Sequence, residues 1–357
     1  MLVVLGLIIP HINGGFSLFY PINCAGYMKL LKTLILFLFA CLVSGLRLYA
    51  QNAGGQSVYS FLRLPIAAQQ TAVGGENTSL INAELSLAHA NPSLLRPDHH
   101  SQLSVSFTPM PAGVKHLYGA AAFYHEKSAT SFAAQVQYTG YGSIPQTDPA
   151  GNELGTFQPR DYQVQLTASR KYLEKWHYGT SLQFIQSNYG AYRSSAMAIT
   201  VGINYYDSAR QFQVGLVMKN MGTQLRGYTN GGIENLPFDL QLGITKRLNK
   251  APLQFSLTLR NLHQLVLFKP DSSTSTADQV LQHIVLGAQA FIAGKIELAM
   301  GYNHLRRREL IIPNTANGLT GYSMGLGILL TRFQLRYART FYSTTKGYHQ
   351  VGINIKI

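Results

Sequence analysis

Gly347-Tyr348-His349-Gln350-Val351-Gly352-Ile353-Asn354-Ile355-Lys356-Ile357 closes the sequence. Read alternately, His349, Val351, Ile353, Ile355 and Ile357 share one side of a strand, and Tyr348, Gln350, Gly352, Asn354 and Lys356 share the other. That is period-two alternation with one almost wholly aliphatic face. At the edge of a soluble sheet such a strand would be an aggregation hazard, because its edge is unpaired. In a closed barrel it is the seam, pairing back onto the first strand. Roughly ten residues per strand, alternating between a lipid face and a lumen face, is the signature of a transmembrane β-barrel. The stretch predicts an all-β fold: a transmembrane antiparallel β-barrel sealed by its last strand.

Working back from the seam, the same habit recurs. Phe238, Leu240, Leu242 and Ile244 set against Asp239, Gln241, Gly243 and Thr245 is the clearest instance. Similar runs start at Gln102 and fill residues 116–124, 130–139, 161–171, 176–186, 195–206, 211–219, 237–245, 252–261, 281–291, 295–304, 319–330 and 333–341, for about fourteen strands in all. The gaps between them alternate between short ones and mostly longer ones, the longest at 140–160, 220–236, 262–280 and 305–318. Short periplasmic turns and long external loops are the habit of outer-membrane barrels. The longer gaps follow odd-numbered strands, which predicts both termini in the periplasm of a Gram-negative cell.

Composition agrees. Only 12% of the 357 residues are charged, well below the usual quarter for a soluble domain. Mean hydropathy near zero is too low for a helical membrane bundle. Twenty-one Tyr and 33 Gly suit hairpins and interfacial aromatic girdles. The net charge of +14 raises nucleic acid as a partner, but Lys and Arg are scattered and no basic helix or stacking motif accompanies them, so no nucleic-acid role is expected.

Residues 1–50 read as an upstream extension followed by a signal peptide. Met28-Lys29-Leu30-Leu31-Lys32 is a basic opening, 34–43 an apolar run, and Leu48-Tyr49-Ala50 a small-residue cleavage site before Gln51. Met28 is the expected start, and Cys24 and Cys41 leave with the signal. Residues 51–100 do not alternate; Gly74-Gly75 and Asn91-Pro92 are turn chemistry. This segment is expected to be either a periplasmic tail or a plug in the barrel, which itself takes residues 101–357.

Motifs for catalysis fail on context. Gly321-Tyr322-Ser323-Met324-Gly325 matches the nucleophile elbow, which needs a strand, a sharp turn and a helix. Here alternation runs straight through it. His99-His100 lacks the spacing and acidic partner of a helical zinc site. No phosphate loop or dinucleotide fingerprint occurs, and acidic residues are too scattered to nominate a pair. The expectation is a protein without catalytic residues, metal or cofactor.

Several blocks carry a family resemblance. Gly54-Gly55-Gln56-Ser57-Val58-Tyr59-Ser60-Phe61-Leu62, Ala90-Asn91-Pro92, Lys219-Asn220-Met221-Gly222-Thr223-Gln224-Leu225, Leu236-Pro237-Phe238 and Gly301-Tyr302-Asn303-His304-Leu305-Arg306-Arg307-Arg308-Glu309-Leu310 resemble the PorQ family. These are outer-membrane barrels of the type IX secretion system in Bacteroidetes. The Gly-Gly and Asn-Pro elements also resemble the wider group of PorV and fatty-acid-transporter-like barrels. One departure from common outer-membrane chains is Ile357, where an aromatic residue is usual. The resemblance implies a non-enzymatic anchor that holds a PorZ-type surface partner, and through it PorU and PorV, while secreted cargo is joined to anionic lipopolysaccharide. The alternative is a transporter of small hydrophobic molecules with residues 51–100 as a gated hatch.

Arg306, Arg307 and Arg308 form the densest basic run and open a long external loop. Guanidinium groups match phosphate bidentately, so all three are candidate contacts for lipopolysaccharide phosphates or the surface partner. The bland reading is a solvated charge run.

Overall fold

A computed structural model describes residues 57–82, 84–229, 232–264, 267, 275–310, 318–342 and 347–357. The expected signal peptide, its cleavage site, Met28 and both cysteines lie outside the described residues.

Fourteen strands close a barrel: β1 Gln102–Pro109, β2 Lys115–His125, β3 Thr130–Gly140, β6 Arg160–Tyr172, β7 Trp176–Tyr189, β8 Tyr192–Asp207, β9 Phe212–Arg226, β10 Asp239–Arg247, β11 Leu253–Leu259, β12 Ile284–Ile292, β13 Ile296–Asn303, β14 Tyr322–Leu329, β15 Phe333–Phe341 and β16 Gly347–Lys356. Two further strands, β4 Ile144–Thr147 and β5 Glu153–Phe157, form a separate exposed hairpin in the loop between β3 and β6. Every neighbouring pair in the barrel is antiparallel. The seam joins β16 to β1 with Gln102 opposite Lys356 and Phe107 opposite Val351.

Facing follows the alternation. Val351 and Ile355 are exposed on the outside while Gln350 and Asn354 are buried within. Exposed Leu103, Val105, Val164, Leu166, Leu298 and Met300 belong to the same outer belt. Closing the sheet satisfies every strand's backbone, which is what allows it to stand in hydrocarbon.

One rim carries turns of three to five residues; the other carries the long loops. Three connections at that second rim are short: β1–β2 and β15–β16, five residues each, and β7–β8, only Gly190 and Ala191 long. There the strands themselves run past the rim, to 14 and 16 residues, and replace the expected loop. Beside it, β9 is bulged against β8 near Ile199, and Asn220 takes a left-handed φ of 56° there. Its amide donates to Pro237 O at 3.0 Å. That amide explains why Asn suits the kink.

Residues 57–100 are a plug, not a tail. Short helix α1 (Ala68–Ala72) packs on β13–β16, and the 3-10 turns Leu85–Ala88 and Pro92–Leu94 pack on β1–β2 and β6–β8. Leu80, Leu85, Leu87, Leu94 and Leu95 are almost fully buried against small wall residues such as Ala120, Ala133, Ala299 and Ala338. The core of the molecule is therefore the inside of the barrel. β1 starts and β16 ends at the short-turn rim, where the Ile357 N–H donates to Ser101 O at 2.8 Å. The first described residue, Ser57, pairs with Asn235 at the long-loop rim. The plug therefore runs through the lumen from one mouth to the other.

Candidate functional site: the plugged lumen and its long-loop mouth

An irregular backbone at membrane depth needs partners for its N–H and C=O groups. The wall supplies them as side-chain amides at its lumen-facing positions. Gln137 donates to Phe61 O at 3.1 Å, Gln350 to Ile66 O at 2.8 Å and Gln213 to Leu80 O at 3.2 Å. Asn303 donates to Gly74 O at 3.2 Å. The Gln163 carbonyl stands 3.1 Å from His89 Nε2, so the imidazole donates there. Gln135, Gln137, Gln163, Gln165 and Gln241 do face the lumen, as the alternation predicts, but the lumen they face is filled.

Where the plug presses on the wall, the wall has glycine. A Cβ on Gly179 would sit 2.6 Å from Pro92 C, and one on Gly301 2.0 Å from Gly74 N. Gly202 and Gly215 would strike Asn91 and Thr78 in the same way. The Asn91-Pro92 turn is held locally: the Asn91 side chain accepts from the Ser93 N–H at 3.1 Å and donates to Thr78 O at 2.8 Å.

Two buried charge clusters tie plug to wall. Toward the short-turn rim, Arg336 on β15 donates through Nε to Glu297 on β13 at 3.0 Å and through Nη1 to Glu84 of the plug at 2.9 Å. Glu84 also accepts from Asn354 at 2.7 Å, and Glu297 from Gln289 at 2.6 Å. Toward the long-loop mouth, Glu76 of the plug lies within 4.0 Å of Lys219 and Arg260 and accepts from Gln241 at 3.1 Å. Sequence reading nominated none of these charges. The signal was an ionisable residue at a lumen-facing strand position, as at Glu297 and Arg336.

The three arginines of the basic run do not form one surface. They lie on α3 (His304–Leu310), and its helical period separates them. Arg306 turns inward, 8% exposed, over the Tyr342 ring at 5.0 Å and against Gly75. Arg307 is half-buried and Arg308 exposed. Arg308 Nε is 3.2 Å from Asp278 on α2 (Thr276–Leu281), whose other oxygen is 2.8 Å from His304 Nε2. His304 Nδ1 in turn meets the Tyr302 hydroxyl at 2.8 Å. This cluster joins the β11–β12 and β13–β14 loops.

Ser323 is fully buried in β14 and donates to Ala72 O at 3.1 Å, a plug contact in the middle of a strand. His99 accepts from the Arg96 N–H at 3.2 Å, and His100 from the Tyr124 N–H at 3.1 Å; both hold the turn into β1. No group of three metal-ligating side chains converges among the described residues.

Cavities open at the barrel mouth and on its outer face. A cup of about 330 Å³ opens at the short-turn rim among Leu95, Pro97, Tyr124, Ser169 and His177. An apolar groove of about 460 Å³ runs over the outer face of β10–β14 among Ile244, Phe255, Leu286, Ala288, Met300 and Tyr302.

Neither a known protein-family profile nor a curated protein matches the sequence. Solved structures do match in shape. A TodX monoaromatic hydrocarbon channel mutant is similar at 12% identity with a TM-score of 0.51, over 82% of this chain and 98% of that one. The toluene transporter TodX of P. putida matches at 13% identity and 0.49, over 82% and 97%. A FadL homologue of Pseudomonas aeruginosa matches at 9% and 0.45, over 81% and 98%. At these identities the likeness is one of fold. The chain has the architecture of an outer-membrane β-barrel.

Proposed function

We propose that this protein is a sealed outer-membrane barrel that works as an anchor, presenting its long-loop face to a protein partner on the cell surface. The observation that carries this reading is the filled lumen. A conduit for hydrophobic molecules calls for a continuous apolar passage. Here the wall is lined by Gln, Ser and Thr, the plug occupies the bore, and wall amides take up its backbone carbonyls. What remains for function is the loop surface, the usual place for it on a rigid scaffold. The PorQ-like blocks support the finer form: a PorZ-type partner, with PorU and PorV joined indirectly, in a type IX attachment complex acting on lipopolysaccharide. On this reading the long loops face outward and the short turns face the periplasm.

The second reading is transport of small hydrophobic molecules. It draws on the fold shared with a monoaromatic hydrocarbon channel and is the reading toward which the structural comparisons lean. It requires the plug to move. Mild-detergent extraction from native membranes, affinity capture and mass spectrometry separates the two. An anchor brings down a surface protein in stoichiometric amount. Capture of the barrel alone, together with uptake of an aromatic hydrocarbon that depends on it, favours transport.

A further inference from the structure

The two buried charge clusters hold their cations very differently. Arg336 is clamped by two carboxylates at 3.0 and 2.9 Å. Around Glu76 at the long-loop mouth, no ion pair among the described residues is that close. Lys219 stands 3.8 Å and Arg260 4.0 Å from Glu76. Arg306 makes no ion pair among the described residues, and its Nη1 is buried without a hydrogen-bond partner. Arg260 Nε is in the same condition. Arg63 lies exposed at the edge of the cluster and donates to the Ser57 hydroxyl at 3.1 Å. The Asp239 carboxylate is already occupied, accepting from Gln241 at 2.6 Å and from the Asn261 N–H at 2.7 Å. Glu309, the other acid near Arg63, is exposed on α3 and screened by water.

Four cations, Lys219, Arg260, Arg306 and exposed Arg63, thus face three carboxylates, buried Glu76 and Asp239 and exposed Glu309, with guanidinium donors unspent. Uncompensated charge and unpaired donors in a buried site are costly. The remaining positive charge favours an anion, and a phosphate monoester carries roughly −1.5 to −2 near neutral pH. Guanidinium forks match its oxygens in geometry.

We propose that the long-loop mouth binds a phosphate group through Arg260, Arg306 and Lys219, with Arg63 at the entrance. The source is either inorganic phosphate or the phosphorylated headgroup of a membrane lipid. The proposal does not depend on the anchor reading.

The test uses the purified barrel in detergent, with inorganic phosphate replacing chloride at constant ionic strength. Phosphate should raise the temperature of heat-induced unfolding and broaden the ³¹P resonance, and chloride should do neither. Arg306→Gln should weaken binding about tenfold, a fair figure for one lost charge-assisted contact. Arg63→Gln, at an exposed position at the entrance, should weaken it in the same sense. The idea is overturned if the wild type shows no phosphate-specific effect. It is equally overturned if folded Arg63→Gln and Arg306→Gln proteins respond as the wild type does. Nanodiscs with and without phosphatidic acid then separate the sources. Phosphatidic acid retained by the wild type but not by Arg63→Gln marks a lipid headgroup, and a response to inorganic phosphate alone marks a soluble ligand.

Discussion

Arg336 shows how much can rest on one side chain. It neutralises a plug carboxylate and a wall carboxylate at once, both almost fully buried. Replacing it by Met leaves Glu84 and Glu297 without a counter-charge and should cost about 3–5 kcal/mol, as removing one member of a buried pair does. The check is the urea midpoint of the folded barrel followed by heat-modifiable migration. Arg336→Lys, which keeps the charge and loses the fork, should fall between. Asp278 acts in the same way at the loop surface. Burial pushes its carboxyl up, but His304, Gln282 and Arg308 outweigh this and hold it below the usual aspartate range. A depressed carboxylate contributes its stability in full above its ordinary pKa and loses it as pH falls through the lowered value. The tie between the β11–β12 and β13–β14 loops should therefore hold near neutral pH and release only in strong acid. Limited proteolysis across pH should show those loops opening there, and Asp278→Asn should open them at neutral pH. Glu84 and Arg336 are 252 positions apart, so no local pattern could have paired them. The Arg306 run was visible in the sequence, but the inward turn of Arg306 was not: it follows from the helical period of α3.

At the scale of elements, the strands were legible because facing in a barrel wall is a period-two property. β10 and β16 turn the faces that their alternation predicts. The ends of β7 and β8 were not legible, since strands that rise past the lipid belt keep pairing with polar residues outside. The hairpin β4–β5 is exposed along nearly its whole length and shows no apolar face to read. The plug could be seen only as turn-rich sequence. Its place inside the barrel depends on wall positions far away in the chain, the glycines above all. Gly301→Val should therefore act on the plug and not on the wall. A Cβ there meets the Gly74 backbone at 2.0 Å, and overpacking of this kind costs about 1–3 kcal/mol. Protease cleavage within residues 57–100 should rise in that variant. Gly119→Ala, which meets nothing within 4 Å, should leave it unchanged.

For the whole molecule, orientation and closure are the open quantities. The mature chain expected from the sequence contains no cysteine, so single introduced thiols report cleanly. Cysteine at Asp148, partly exposed at the turn of the β4–β5 hairpin, should react with an impermeant reagent on intact cells. Cysteine at Asn249, exposed in the short turn between β10 and β11, should react only after the outer membrane is breached. The reverse pattern would invert the barrel and remove the surface partner from the proposal. The account's central claim is that the lumen is shut. Planar-bilayer conductance of the purified mature protein tests it most directly, beside a variant lacking residues 57–100. The wild type should give no sustained ion-conducting steps and the plug-free variant should give them. Steady wild-type conductance equal to that of the plug-free barrel would contradict a sealed lumen and leave the protein a pore.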